Sequence, residues 1–213
     1  MLLYHFRNKK YGIKSLKEKR LKISRIHELN DPFELLGCEL SDKINRDAFR
    51  KTKDDLSKSK GLLCFSKNWR SPVQWTHYSD NHTGICMGFE IPDPDEWLIK
   101  VDYQSKRLSC PTEFDFDFMN KVLSTKFSHW KYEKEYRVFI ELDSSKEENG
   151  LYFYDFSEML RLKQVIVGCN SNITRDEVKD VLGDLYYEVE AFKARPAFKT
   201  FNIVMNRNKS LWT

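Results

Sequence analysis

Three short segments of the chain carry most of the side chains that are able to do chemistry. The first places His5 and Arg7 in a short apolar stretch. The second, residues 74–79, holds a histidine and a tyrosine together, and the third, residues 130–137, contains two glutamates among aromatic and basic residues. Histidine, tyrosine and carboxylate groups are the ones that move protons and stabilise developing charge.

The two glutamates of the third segment, Glu133 and Glu135, occupy alternate positions. In a β-strand alternate side chains point to the same face, so the two negative charges are predicted to share one surface. Like charges at close range raise the pKa of one carboxylate, which suits it to hydrogen bonding or to work as a base. The alternative is an edge strand on which glutamate and lysine alternate to keep the strand soluble. The spacing alone leaves both interpretations open.

Other candidates carry less information when each is taken alone. His5 and Tyr78 are residue types that pack in many protein cores, and Trp75 is expected in the core. Asn30 and Asp31 precede a proline, which is a combination typical of a turn. A functional role for these residues therefore depends on which other candidate side chains lie near them.

The composition supports one packed domain. Hydrophobic residues make up 40% of the 213 residues, which is enough for a core without metal or disulfide staples. No linker or shift in composition divides the chain. We therefore predict a single domain over residues 1–213, with residues 42–60 as a surface helix or insert.

Charge and cysteine content narrow the classes of function. The formal net charge of +4 arises from 36 basic and 32 acidic residues, so the field of the whole molecule does not by itself attract nucleic acid. Five cysteines without paired spacing predict reduced thiols and no zinc site. No apolar stretch is long enough to span a bilayer and the N-terminus lacks a signal-peptide pattern. We expect a cytoplasmic protein without a membrane partner.

Hydrophobic periodicity and turn residues place the elements that must position these side chains. Strands are predicted at residues 2–7, 21–24, 61–65, 84–91, 98–103, 136–142, 151–156, 165–168 (a buried edge of the sheet), 186–192 and 197–204. Helices are predicted at residues 11–19, 42–60, 73–78, 113–127 and 174–182. Strands interrupted by short helices, without a regular alternation, predict an α+β fold rather than a doubly wound one.

Standard phosphate-loop, nucleophile-elbow, metalloprotease and kinase signatures do not occur in the chain. Taken in order, the segments instead resemble the ADP-ribosyltransferase superfamily of the His-Tyr-Glu type. The segments that carry the resemblance are residues 2–5, 10–13, 20–23, 61–66, 73–78, 84–90 and 135–139. The resemblance implies a split mixed or antiparallel sheet with short helices.

The same resemblance implies NAD as a substrate, with no metal. It gives His5 a hydrogen bond to the nicotinamide ribose and Tyr78 a stacking contact with nicotinamide. It makes Glu135 the group that stabilises the oxocarbenium-like state as nicotinamide leaves, which is sound electrostatics. Glu133 would orient the acceptor, which the sequence does not identify as protein, nucleic acid, small molecule or water.

The chain departs from that superfamily at Phe6, where a small glycine is usual beside the cofactor. Arg7 is an alternative to His5, with Ser66 as the serine of the Arg-Ser-Glu branch. The residues implied to bind the cofactor are therefore His5, Arg7, Ser66, His77 and Tyr78. A role in phage defence or as a toxin is an association with small bacterial enzymes that consume NAD.

A second resemblance spans most of the chain. Residues 30–34, 64–66, 75–78 and 130–137 resemble an uncharacterised family of mostly bacterial proteins, domain-of-unknown-function family 2971. This resemblance implies no activity. It singles out a set of candidate site residues: His77, Tyr78, Glu133, Glu135 and Arg137, with Asn30 and Asp31 as further candidates.

Two other classes of function remain open. A metal-dependent nuclease would use Asp31, Glu133 and Glu135 around magnesium. Its phosphate contacts would come from Lys131, Lys134 and Arg137. A binding module without enzymatic activity would use Trp69, Trp75 and Trp130 as an aromatic recognition groove.

Overall fold

The structure, a computed structural model, describes residues 1–92, 97–111 and 113–212. The strands are β1 Leu2–Arg7, β2 Arg20–Arg25, β3 Lys60–Ser66, β4 Ile85–Glu90, β5 Ile99–Lys100, β6 Asp102–Gln104, β7 Thr125–Phe127, β8 Glu135–Glu141, β9 Tyr152–Asp155, β10 Arg161–Val167, β11 Glu190–Pro196 and β12 Ile203–Met205. The α-helices are α1 Lys9–Glu18, α2 Lys43–Ser59, α3 Pro72–Tyr78, α4 Phe116–Ser124 and α5 Arg175–Leu182.

A large mixed sheet dominates the fold. Its strands follow the order β12-β11-β10-β4-β1-β3-β2-β9, with β8 paired to β3 and β5 paired to β8. The pair β10–β11 is parallel, whereas the other pairs of this sheet are antiparallel. A mixed sheet with short helices was the prediction from sequence, and it is confirmed at that level.

The sheet splits at β3. One edge of β3 pairs with β8 over its whole length. The other edge is shared, because β1 pairs with it only at Ser66 and β2 pairs with it only at Gly61 and Leu62. The carbonyl of Cys64 lies on the free stretch between them, where β1 and β2 diverge. A split of this kind leaves a cleft in the middle of a sheet without breaking its core.

Both faces of the central strands are buried. On β4, Ile85, Met87 and Phe89 pack into the main cluster, while Cys86 points to a second cluster on the opposite face. The second cluster includes Trp75 of α3, which is fully buried and donates its indole N–H to the carbonyl of Trp69 at 2.7 Å. Helix α3 is thereby held against β1, and its last residue reaches the split.

Several predicted elements differ from the structure. The helix expected over residues 113–127 ends at Ser124, because Thr125 to Phe127 form β7 and pair in parallel with β6. The strand expected at 98–103 divides into β5 and β6, which belong to different sheets. The segment predicted as an edge at 165–168 lies between β4 and β11.

The last two predicted strands are displaced. Residues 183–187 form a 3₁₀ helix, so the strand expected at 186–192 begins only at Glu190. Most of the segment 197–204 is a turn, and β12 is limited to Ile203–Met205. By contrast, α2 agrees with the surface helix predicted at 42–60, with only Phe49 and Ser57 buried.

The cysteines and helices add two further observations. All five cysteines lie within the described residues and are free thiols. Among the residues that the structure describes, no helix combines the length and the apolar character needed to cross a bilayer.

We predict that Gly61→Ala destabilises the fold by about 1–3 kcal/mol, the usual cost of overpacking. A Cβ at Gly61 would lie 2.3 Å from Cγ2 of Ile23 and 3.1 Å from the carbonyl oxygen of Ser24, so β2 must move away from β3. Urea unfolding measures the loss. The control is Lys60→Ala, which removes an exposed ion pair with Glu141 and should change stability by less than about 0.5 kcal/mol. Equal effects of the two changes would contradict this account of the split.

Candidate functional site

A cleft of about 350 Å³ opens where β1 and β2 diverge. Its walls come from β1, β3, α3, the segment after β2 and the start of β8. The volume lies at the lower end of the range for small-molecule sites. The sheet split therefore creates a partly open space in which a small ligand can bind.

Most of the site residues predicted from sequence line this one cleft. Those that do are His5, Arg7, Asn30, Ser66, His77, Tyr78, Glu133 and Glu135. Arg137 lies directly behind them, because its guanidinium is hydrogen-bonded to Glu135. Asp31 is not part of the lining, and its carboxylate accepts the N–H of Phe33 at 2.9 Å in a turn.

The imidazole of His5, which belongs to β1, lies against the free stretch of β3. Its Nδ1 lies 2.9 Å from the carbonyl oxygen of Cys64, which can only accept a hydrogen bond, so Nδ1 carries the proton. Burial, reinforced by the charge of Arg7, lowers the pKa of His5 to about 3, and the ring is neutral near pH 7. The lone pair is then on Nε2, which is shielded from solvent and has no partner among the described residues. His5, a lining residue of the cleft, therefore carries an unused acceptor.

Arg7 supplies a positive charge next to His5. Its Nη2 donates to the carbonyl of Lys22 at 3.1 Å, while its Nε has no partner among the described residues. No carboxylate in the described part of the chain lies within 4.0 Å of this guanidinium. Burial lowers the pKa of Arg7, but an arginine remains protonated in proteins. Glu28 acts on Arg7 only at longer range, and a guanidinium whose Nε lacks a partner is suited to binding an anionic ligand group.

A buried ion network forms the opposite wall. Lys126 donates to Glu133 at 2.6 Å and to Glu135 at 2.9 Å. Arg137 bonds Glu135 through Nε at 2.8 Å and Glu34 through Nη1 and Nη2 at 2.6 and 3.0 Å. Each of these five side chains belongs to a residue that is at most 6% exposed. With all five ionised, three carboxylates and two cations leave one net negative charge facing the cleft.

The network drives the pKa values of its two central carboxylates apart. Burial by itself raises the pKa of Glu135, but Arg137 and Lys126 together outweigh it and lower the pKa to about 2. Burial raises the pKa of Glu133, and the charge of Glu135 adds to the effect against the opposing influence of Lys126. Pairs whose pKa values are separated in this way take different roles in acid–base chemistry. Glu135 is a fixed anion, and Glu133 is the member suited to exchange a proton.

Tyr78 connects α3 to the network. Its hydroxyl donates to Oε1 of Glu133 and accepts from Nδ2 of Asn30 at 2.8 Å. Burial and the nearby charge of Glu133 raise the pKa of Tyr78, so the hydroxyl stays protonated. His77, on the same helical turn, bonds the hydroxyl of Tyr132 at 2.9 Å. The end of α3 thus places an aromatic ring and a hydroxyl donor beside the carboxylates.

Ser66 has a positioning role. Its hydroxyl donates to the backbone carbonyl of Glu133 at 2.5 Å and accepts the N–H of Asn68 at 2.9 Å. Gln74 donates to the same carbonyl of Glu133 at 3.2 Å. Ser66 is fully engaged in holding the backbone that carries Glu133.

The backbone conformation that brings Glu133 and Glu135 together differs from the predicted strand. They do not alternate along one strand, because Glu133 ends a 3₁₀ helix, Ser128–Glu133, and Lys134 adopts a left-handed backbone with φ 46°. Glu135 then begins β8, which pairs with β3 on one side and with β5 at its start on the other. The two carboxylates converge on Lys126, and the alternative of a solvated edge strand does not describe them.

Sequence reasoning missed Lys126, Glu34 and Gln74. Lys126 fell inside a predicted helix, and its two carboxylate partners are seven and nine positions away along an irregular segment. Glu34 stands in the segment 30–34 noted for its family resemblance, yet only the contact with Arg137 assigns it a role. No local pattern marks these residues, because each acts through partners outside its own helix or strand.

The alternative groupings predicted from sequence are not assembled. Asp31 does not join Glu133 and Glu135, and the described residues contain no group of three His, Cys, Asp or Glu side chains arranged to hold a metal ion. Trp69 and Trp75 are buried in the core, so these two rings do not line a recognition groove. Trp130 instead lies over the ammonium of Lys126, 5.0 Å from ring centroid to Nζ.

Comparison of the chain with protein-family models, with curated proteins and with solved structures found no match. The interpretation of the cleft therefore depends on its own geometry and chemistry.

We predict that Lys126→Met destabilises the protein by about 3–5 kcal/mol, because it leaves two buried carboxylates facing each other without their shared cation. Chemical unfolding near neutral pH measures the loss. The matched control is Lys58→Met, which removes an exposed ion pair with Asp55 and should cost less than about 1 kcal/mol. A loss no larger than that of the control would show that the network is dispensable for folding.

We predict that the titration of His5 makes the stability of the protein depend on pH. Its folded-state pKa of about 3 lies below the ordinary value of 6.5, so the unfolded chain binds a proton that the folded chain does not. Stability must therefore fall as the pH is lowered from about 6.5 toward 3. Between pH 6.5 and 4.5, the free energy of unfolding should fall more steeply with falling pH for wild type than for His5→Gln. The difference in slope should correspond to at most one bound proton. Parallel curves would contradict the neutral, buried ring.

Proposed function

We propose that the cleft binds NAD and breaks the bond between nicotinamide and ribose, transferring ADP-ribose to an acceptor or to water. The observation that carries this proposal is the convergence of His5, Tyr78, Glu133 and Glu135 on one cleft. These residues come from separate parts of the chain, and only the sheet split brings them together.

The electrostatics of the cleft support this reaction. As the bond from C1′ of ribose to the nicotinamide nitrogen breaks, its electron pair leaves with nicotinamide and positive charge develops on the ribose. A fixed carboxylate in a site shielded from water stabilises such charge strongly. Glu135 remains ionised because of its lowered pKa, and it is already held in place by Arg137 and Lys126. No reorganisation of the anion is needed as the cation forms.

Proton transfer completes the reaction. A neutral nucleophile that attacks C1′ must lose a proton once the new bond forms. Glu133 has the higher pKa of the two glutamates and lies at the cleft surface, so it is suited to accept this proton. The hydroxyl of Tyr78 stays bonded to Glu133 and keeps its carboxylate oriented.

The remaining lining residues suit a dinucleotide. Nε2 of His5 can accept a hydrogen bond from a ribose hydroxyl, since it has no other partner among the described residues. The ring of Tyr78 provides an aromatic surface for nicotinamide. Arg7 provides a charge for a phosphate on the same strand as His5. In this proposal His5 and Arg7 bind different parts of the ligand, so it does not require a choice between them.

We predict that wild type releases nicotinamide from NAD and that Glu135→Gln lowers the rate by about 100-fold or more, as loss of a transition-state contact does. Chromatography of the products at millimolar NAD measures both. Thermal unfolding must first show that Glu135→Gln is folded, since Glu135 lies in the buried network.

Two separate substitutions at Tyr78 test the proposal if Glu135→Gln does not fold. Tyr78→Phe retains the ring and should keep NAD binding, whereas Tyr78→Ala should weaken binding about tenfold or more. Wild type that neither binds NAD nor releases nicotinamide would falsify the proposed function.

A further inference from the structure

Two segments at one edge of the large sheet carry basic residues and no acidic ones. Residues 191–212 contain no aspartate or glutamate, and neither do residues 67–79. In a chain with 32 acidic residues, two such segments are conspicuous. Their basic residues are Lys67, Arg70, Lys193, Arg195, Lys199, Arg207 and Lys209.

The two acid-free segments meet in space. The backbone N–H of Ile203 donates to the carbonyl of Arg70 at 2.9 Å. Beneath that contact, Trp69 packs against Phe192 with ring centroids 5.6 Å apart. The loop of residues 67–71 and the turn that joins β11 to β12 therefore form one continuous surface.

Two phenylalanine rings project from this surface into solvent. Phe198 is 90% exposed and Phe201 is 99% exposed. The turn that carries them is closed by the N–H of Ala197 bonding the carbonyl of Asn202 at 2.8 Å. Folding gains nothing from displaying two apolar rings on a structured turn, and exposed apolar groups of this kind mark interaction sites.

The arrangement favours a single-stranded nucleic acid over a lipid surface. The guanidinium of Arg195 lies 4.2 Å from the ring centroid of Phe198 and covers one face, which leaves the other face for a base. Lys199 and Thr200 stand between the two rings. In a nucleic acid, the alternation of bases and phosphates matches alternating aromatic and basic side chains.

We propose that the surface formed by residues 67–71 and 195–202 binds single-stranded nucleic acid. Bases stack on Phe198 and Phe201, and phosphates contact Lys199 and Arg70. The loop 67–71 leads directly into α3, so the bound strand lies beside the helix that carries Tyr78. The proposal goes beyond the nucleotide chemistry of the cleft and does not depend on it.

Fluorescence anisotropy with a labelled 20-nucleotide oligouridine, and with the matching oligothymidine, tests this surface in the absence of NAD. The full chain should bind both. The double variant Phe198→Ala/Phe201→Ala should bind at least about 25-fold more weakly, the sum expected for two lost stacking contacts. Lys199→Gln should reduce the slope of log affinity against log salt by about one.

The matched control is Phe116→Ala, which removes a ring that is 79% exposed but flanked by Asp115 and Asp117. It should leave affinity unchanged. Because Phe198 and Phe201 are exposed, unaltered thermal unfolding of the double variant would confirm that only the surface has changed. Absence of binding, an equal loss in the control, or binding to phosphatidylserine vesicles but not to either oligonucleotide would overturn the proposal. None of these results bears on NAD cleavage, so the two proposals fail separately.

Discussion

The buried ion network is the interaction on which the rest of the site depends. Five charged side chains are removed from water together, which is tolerable only because each is paired and hydrogen-bonded. Through Glu34, Lys126 and Arg137, it fixes the segment after β2, the short strand β7 and the start of β8 at one place. The orientation of both central carboxylates follows from these contacts. Without the network the cleft would lose the wall that carries its carboxylates.

The divided edge of β3 is the second constraint. Because β1 and β2 each pair with only part of that edge, the carbonyl of Cys64 is left for the imidazole of His5. The hydrogen bond selects the tautomer, and burial keeps the ring neutral. A neutral acceptor, a guanidinium whose Nε has no partner among the described residues, and a wall of paired carboxylates and cations consequently surround one space. That combination suits a ligand with hydroxyl groups, phosphates and a bond that breaks to leave a cation.

The sequence predicted the parts of the site that lie on regular elements. The strand of His5 and the helix of Tyr78 carry clear periodicity and a proline at the start of α3, and both agree with the structure. The geometry of Glu133 could not be predicted, because a left-handed residue at Lys134 replaces the expected strand. Residues 197–202 form a turn and not the predicted strand. Phe198 and Phe201 give this segment the apolar character of a buried strand, although both rings are exposed. Residues whose partners lie outside their own helix or strand, such as Lys126, leave no local signal.

A crystal structure with a hydrolysis-resistant NAD analogue tests the central claim most directly. The account predicts the nicotinamide ribose inside the cleft, with a hydroxyl about 3 Å from Nε2 of His5 and the glutamate pair facing C1′. It also predicts that the ion network keeps its present pairing. An analogue that binds elsewhere, or that leaves the cleft empty at millimolar concentration, would contradict the assignment of this cleft to nucleotide chemistry.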